Sequence, residues 1–204
     1  MEFAEVVRRR RMVRNYDPDR PVPPELVDRL LAHALRAPSA GFTQGWGFLV
    51  LESARDRDRF WAATTPDRPA GAGGSGRWLT GMRRAPLIVV PHSNRSAYLD
   101  RYAEPDKGWT DRDPARWPVP YWHIDAGFAA LLMLLTAVDE GLGACFFGIP
   151  PERTGAYRAE FGVPDEFVPI GALTVGYPAP DHRSRSLRRG RRPMSEVVHR
   201  GQWS

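Results

Sequence analysis

The stretch Asp125–Gly148, DAGFAALLMLLTAVDEGLGACFFG, constrains the fold more than any other. Phe128, Leu131, Leu132, Leu135 and Val138 recur at helical spacing, and Ala129, Ala130, Met133, Leu134 and Ala137 fill the other faces. A helix that is apolar all round belongs inside a protein rather than on its surface. Asp125 suits the positive end of such a helix, and Gly141 and Gly143 suit its stop. The apolar run between Asp125 and Asp139 falls short of the ~20 residues a membrane span needs. The pattern therefore predicts the core helix of a soluble domain, with a subunit interface as a second use for its apolar surface. A short buried strand or turn over 144–148 follows it.

The rest of the chain reads as elements packed around that helix. A short helical pattern covers 2–11, an extended segment 12–16, and a proline-rich turn Asp17–Pro24. Pro24 is well placed as the first residue of a helix carrying Leu26, Val27, Leu30, Leu31 and Ala34 on one side. Further helices are expected at 55–63, at 153–160 and over a short terminal piece at 194–199. Strands are expected near 48–52, 86–90, 144–148 and 170–176. Such alternation predicts an α+β fold, a sheet of four to five strands covered by helices. The 204 residues are read as one domain. The stretch 64–121 is the variable part, with a glycine-rich mobile loop at 64–76 and a segment without clear period at 93–121.

Composition narrows the chemistry. The net charge is +5, and Lys107 is the only lysine among 29 basic residues. Arginines that alternate with acids, as in Glu52–Arg59, describe a solvated face. A nucleic-acid surface would instead gather cations in one stripe with aromatics between them. Two clusters stay unbalanced, Arg8–Arg14 and Arg183–Arg192. Several arginines leaving a helix can grip one phosphate, because guanidinium forks match its oxygens, though a solvated basic face would look the same. There is no GxGxxG after a strand, no GxxxxGK[ST] and no GxSxG. The five histidines show no HExxH or HxH spacing, and the single cysteine, Cys145, has no partner for a metal site. Cys145 reads as a small core residue. No leader precedes Val13, which suggests the cytoplasm.

Four motifs in order resemble the nitroreductase family of FMN-dependent oxidoreductases: RRMVRNY followed by DPDRPVP, then APSAGFTQGW, then DAG…GLGACFFG, then RRGRRPMSEVVH. The resemblance covers nearly the whole chain and is weakest over 64–121. It implies a nitroreductase-like central mixed sheet, an intertwined homodimer and FMN at the subunit interface. The implied cofactor contacts are Arg10, Arg11, Met12 and Arg14 from the first motif and Ser39, Ala40, Phe42 and Gln44 from the loop. Phe147 and Gly148 follow in the turn facing the flavin, and Arg189 and Arg191 complete the phosphate site. Met12 stands where serine is usual, so only a backbone contact carries over there. Phe42 stands where many members have a flavin-bonding asparagine.

The resemblance also implies a function. The flavin carries the chemistry, so no catalytic dyad and no metal are expected of the protein. NADH or NADPH is the expected donor, with a deazaflavin as another choice. A nitroaromatic, quinone or enone is the expected acceptor, reduced by a ping-pong mechanism, with neither nucleic acid nor membrane as partner. Trp109, Trp117, Tyr121 and Trp122 are candidates for an aromatic substrate wall, or for packing over the sheet. Flavin destructase, dehalogenase or tailoring-oxidase chemistry on the same fold, and a non-catalytic flavin-binding scaffold, are the alternatives.

Overall fold

The computed structural model describes residues 1–66, 75–181 and 184–203. Five strands form its centre: β1 (Trp46–Leu51), β2 (Leu87–Asn94), β3 (Gly143–Phe147), β4 (Phe167–Pro169) and β5 (Ala172–Gly176). Their order is β1-β2-β5-β3, with β4 pairing the far end of β2, and every pair is antiparallel. The one parallel element is a bridge between Met12 and Ala144, which adds the N-terminal segment to the outer edge of β3.

The apolar run Leu87–Val90 explains why the sheet is a middle layer. Successive strand side chains point to opposite faces. Leu87 and Val89 enter one core with Leu173 and Val175, and Ile88 and Val90 enter another with Ala172 and Cys145. The first core is closed by α2 (Pro24–Ala34) and α6 (Tyr121–Asp139) through Leu30, Ala34, Met133 and Ala137. Leu30 and Met133 are each 1% exposed, burial that contributes ~1.5–3 kcal/mol per side chain. The second core is closed by α3 (Ala54–Thr64), α4 (Ser75–Arg83) and α7 (Thr154–Phe161) through Phe60, Trp61, Met82 and Tyr157. Two further helices, α1 (Phe3–Arg9) and α5 (Arg95–Ala103), complete the described set.

Local chemistry sets the boundaries. Pro24 opens α2 as its first residue. The Ser53 hydroxyl accepts from the Asp56 amide at the start of α3, and the Asn94 side chain accepts from the Ala97 amide at the start of α5. Gly162 takes the left-handed conformation that ends α7.

Three expectations need adjustment. The central helix is longer than its apolar run, beginning at Tyr121, and is long and apolar enough by itself to cross a membrane. It nevertheless lies on the sheet with half of that apolar window buried. It is also not covered all round: Phe128 is 43% and Leu131 44% exposed, so one stripe faces outward. Second, the structure forms α4 and α5 where no helical period is legible. Third, most of the glycine-rich stretch 71–76 lies outside the described residues.

Candidate functional site

Residues 10–14 run along the edge of β3 as an extended segment. The Val13 amide donates to the Ala144 carbonyl at 3.0 Å, and the Phe146 amide reaches the Met12 sulfur at 3.4 Å. Val13 is buried against Gly143, where an added Cβ would stand 2.6 Å from its Cγ2. This fixes the backbone and turns Arg10, Arg11, Met12 and Arg14 into one groove of about 540 Å³. Arg8, Arg9, Ser184, Leu187 and Arg191 complete its lining. Arg191 lines this groove with the first arginine motif, whereas Arg189, exposed at the end of a short 3-10 turn, does not.

The charges in this groove are partly matched. Arg8 and Arg9 pair with Glu5. Asp181, whose side chain is 9% exposed, accepts from the Arg14 amide at 2.9 Å and lies 3.5 Å from the Arg11 guanidinium. The guanidinium groups of Arg10, Arg14 and Arg191 have no ion-pair partner among the described residues and are the cations left for a ligand. Asp181 is a site residue that no motif announces: it lies at the end of a proline-rich connection and reaches Arg14 only through the fold.

A second groove, of about 410 Å³, adjoins the first and shares Arg14 and Asp181 with it. Arg77, Trp78, Gly81 and Arg84 of the α4 region, with Asn15, form its other wall. Gly81 is required there: a Cβ would meet the Arg14 carbonyl oxygen at 2.1 Å. Trp78 packs edge-on against Phe147 at 5.5 Å, and Phe147 stacks on Trp61 at 5.6 Å. Gly148 has open space where a side chain would stand. Cys145 beneath is inert, its thiol pushed up to about 11 by burial.

The loop bearing Ser39, Ala40, Phe42 and Gln44 lies elsewhere. It precedes β1 at the opposite edge of the sheet. Three strand spacings separate β1 from β3, about 14 Å. The loop abuts α5 and the start of α6 instead. Beside it, Trp109, Trp117 and Tyr121 line a cavity of about 420 Å³ with Ala40, Tyr102 and Arg116. Trp122, the fourth expected aromatic, is buried behind this cavity against Tyr98 and Trp117. The chain therefore carries an arginine groove at one sheet edge and the loop with its aromatic cavity at the other.

The family model described as "Nitroreductase family" matches residues 7–177, which spans the sheet, the arginine segment and the loop. The chain belongs to the nitroreductase family. A Methanothermobacter thermautotrophicus protein with a provisional NADH dehydrogenase/NAD(P)H nitroreductase name is 28% identical over 190 residues, 92% of this chain and 83% of its own length. A Thermus thermophilus protein named NADH dehydrogenase is 29% identical over 200 residues, 86% of this chain and 88% of its own. Among solved structures, a nitroreductase family protein from Clostridium difficile superposes with a TM-score of 0.72 at 23% identity, covering 100% of both chains. A nitroreductase-fold protein from Exiguobacterium sibiricum, solved with FMN, gives 0.73 at 20% identity over 100% of this chain and 98% of its own. The nitroreductase fold and oxidoreductase class follow from family membership.

Proposed function

We propose that the chain is an FMN-dependent oxidoreductase passing reducing equivalents from NADH or NADPH to a small organic acceptor, a nitroaromatic, quinone or enone. The observation that carries this reading is the arginine groove with Arg10 and Arg191 unpaired at its wall. Its donor set fits a phosphomonoester: planar guanidinium forks bind phosphate oxygens in pairs, and the surrounding backbone is held by the β3 edge. Names of relatives point to NAD(P)H, and a fold neighbour holds FMN.

FMN, when bound, would accept a hydride and release one or two electrons to the acceptor. Arg10, Arg11 and Arg191 would hold its phosphate. Arg14, at the junction of the two grooves, would place positive charge where the ring gains electrons. Gly148 allows a close backbone approach, and the Phe147–Trp61–Trp78 cluster backs that position with apolar surface. The loop at 39–44 stands too far from the groove of its own protomer, so we assign it to the groove of a second copy in a homodimer. The aromatic cavity beside the loop would then receive the acceptor, in turn with the donor, as a ping-pong scheme requires.

The test is the absorption spectrum of the purified protein, with the released pigment identified after denaturation. Flavin bands and released FMN, bleached by NADH or NADPH and restored by menadione, are expected. Parallel lines in double-reciprocal plots check the ping-pong order. Colourless protein that gains neither bands nor thermal stability with added FMN overturns the reading in favour of a scaffold. Oxygen-dependent loss of flavin colour after reduction would select destructase chemistry.

A further inference from the structure

The loop 39–45 has a backbone that its own sequence does not favour. Gly41, Phe42 and Gln44 all have left-handed φ, at 62°, 55° and 54°. A non-glycine residue there costs on the order of 1 kcal/mol or more. Packing of the side chains does not offset this, because Phe42 is 78% exposed and Gln44 is exposed too. Inside the loop the Ser39 hydroxyl accepts from the Gln44 amide at 3.0 Å, and the anchor to the rest of the protein comes from outside.

The hold comes from one buried pair. Asp125, 2% exposed one turn into α6, accepts from the Ala40 amide at 2.8 Å and from the Tyr98 hydroxyl at 2.7 Å, both through Oδ2. The Gly45 carbonyl accepts from the Asn94 amide at 2.8 Å, at the start of the helix that carries Tyr98. Both ends of the loop thus meet this pair, Ala40 by its hydrogen bond to Asp125 and Gly45 by packing on the Tyr98 ring. Tyr98 is fully buried, and a Cβ on Gly45 would meet its ring at 2.5 Å, so the loop has no slack against it. A second brace holds the middle: Arg101 Nε donates to the Gly41 carbonyl at 2.9 Å while its Nη atoms fork onto Asp106 at 2.6 and 2.7 Å.

We infer that Asp125 and Tyr98 are positioning residues that hold the 39–45 loop in the shape it presents to the cofactor. Neither touches the arginine groove. Their effect falls on the part of the ligand the loop meets and leaves the phosphate end alone. This rests on the FMN reading above, so the experiment separates the two.

FMN and inorganic phosphate are titrated separately into the apo full-length chain, for the unaltered protein and for Tyr98→Phe, Asp125→Ala and Asp125→Asn. Tyr98→Phe and Asp125→Ala are expected to weaken FMN about tenfold, the scale of one hydrogen bond to a charged group, with phosphate affinity unchanged within about twofold. Asp125→Asn keeps an acceptor oxygen where Oδ2 stands and restores most of the affinity lost in Asp125→Ala. In the unaltered protein, hydrogen exchange is expected to find the Ala40 amide protected far beyond other loop amides. Unaltered protein that fails to bind FMN defeats the functional reading. Four results overturn the inference while leaving that reading intact: FMN affinity equal in all variants; FMN and phosphate weakened in parallel; Asp125→Asn as weak as Asp125→Ala; or the Ala40 amide exchanging like an open loop.

Discussion

At the scale of single residues, the site is a balance of charge. Arg10 is half-buried in the groove without an acidic partner, so its replacement by alanine removes a proposed phosphate contact and little else. Arg10→Ala is expected to weaken FMN by about 1.5–3 kcal/mol, the range of a charged hydrogen bond, with the fold intact. Fluorescence titration measures it, and an unchanged affinity removes Arg10 from the site. A second prediction concerns His92, 3% exposed on β2, with Nε2 3.0 Å from the buried Tyr157 hydroxyl. Burial pushes its pKa below the ordinary histidine value. The folded protein keeps His92 neutral while the unfolded chain takes up a proton near pH ~6.5. Its contribution is therefore complete above that pH and is lost as pH falls, by at most ~1.4 kcal/mol per pH unit for one proton. Urea midpoints between pH 7 and 5.5 should fall in the native protein and fall less in His92→Gln. Parallel slopes would assign the loss to another group. What the sequence revealed at this scale followed chain proximity. The RRMVR run is legible because its arginines are neighbours. Asp181 is not, because it meets Arg14 across 167 positions.

At the scale of elements, legibility followed period and caps. α2 was readable from Pro24 and its apolar spacing, and α6 from its density of leucine and alanine. The helices α4 and α5 were not. In SGRWLTGMR two glycines interrupt the pattern, and RSAYLDRYA alternates charge with tyrosine. These helices form because Met82 and Tyr98 find buried places in the tertiary structure, both fully enclosed. The second groove was invisible for the same reason, since α4 supplies one wall. Gly81 tests this dependence. The Cβ of Gly81→Ala would collide with the Arg14 carbonyl, and that carbonyl belongs to backbone fixed near the β3 edge, so α4 must shift away. We expect a loss of about 1–3 kcal/mol in folding stability, the cost of overpacking, together with weaker FMN binding through displaced Trp78 and Arg14. Gly76→Ala, in the same helix with nothing within 4 Å, is the control and should leave both unchanged. A Gly81→Ala protein that melts and binds like the control would contradict the close docking of α4.

At the scale of the whole molecule, the arrangement is incomplete in a specific way. The arginine groove lies beside β3 and the loop precedes β1, at opposite sheet edges. An apolar stripe carrying Phe128 and Leu131 on α6 faces outward, and Phe3 and Val7 of α1 are 70% and 49% exposed. The C-terminal segment adds Leu187, Met194, Val197 and Trp203, each at least half exposed. An isolated chain has no reason to leave this much apolar surface in water, and a second copy offers identical surface to cover it. The two deficits have one remedy: a dimer that buries the α6 stripe can also bring the loop of one copy to the groove of the other. The sequence carried part of this argument, since a helix apolar on every face read first as a core helix and only second as a subunit interface, whereas the distance between groove and loop required the sheet order. Phe128→Glu places a charge in the proposed interface at a position that water already reaches, so each copy should still fold. Sedimentation should find dimers for the native chain and a shift towards monomer for the variant. FMN should be lost in step with dimer, because in the proposed arrangement each groove is completed by the loop of the other copy. A monomeric Phe128→Glu protein that binds FMN as tightly as the native protein would show that one copy completes the site alone. The groove and loop would then have to approach each other within a single chain.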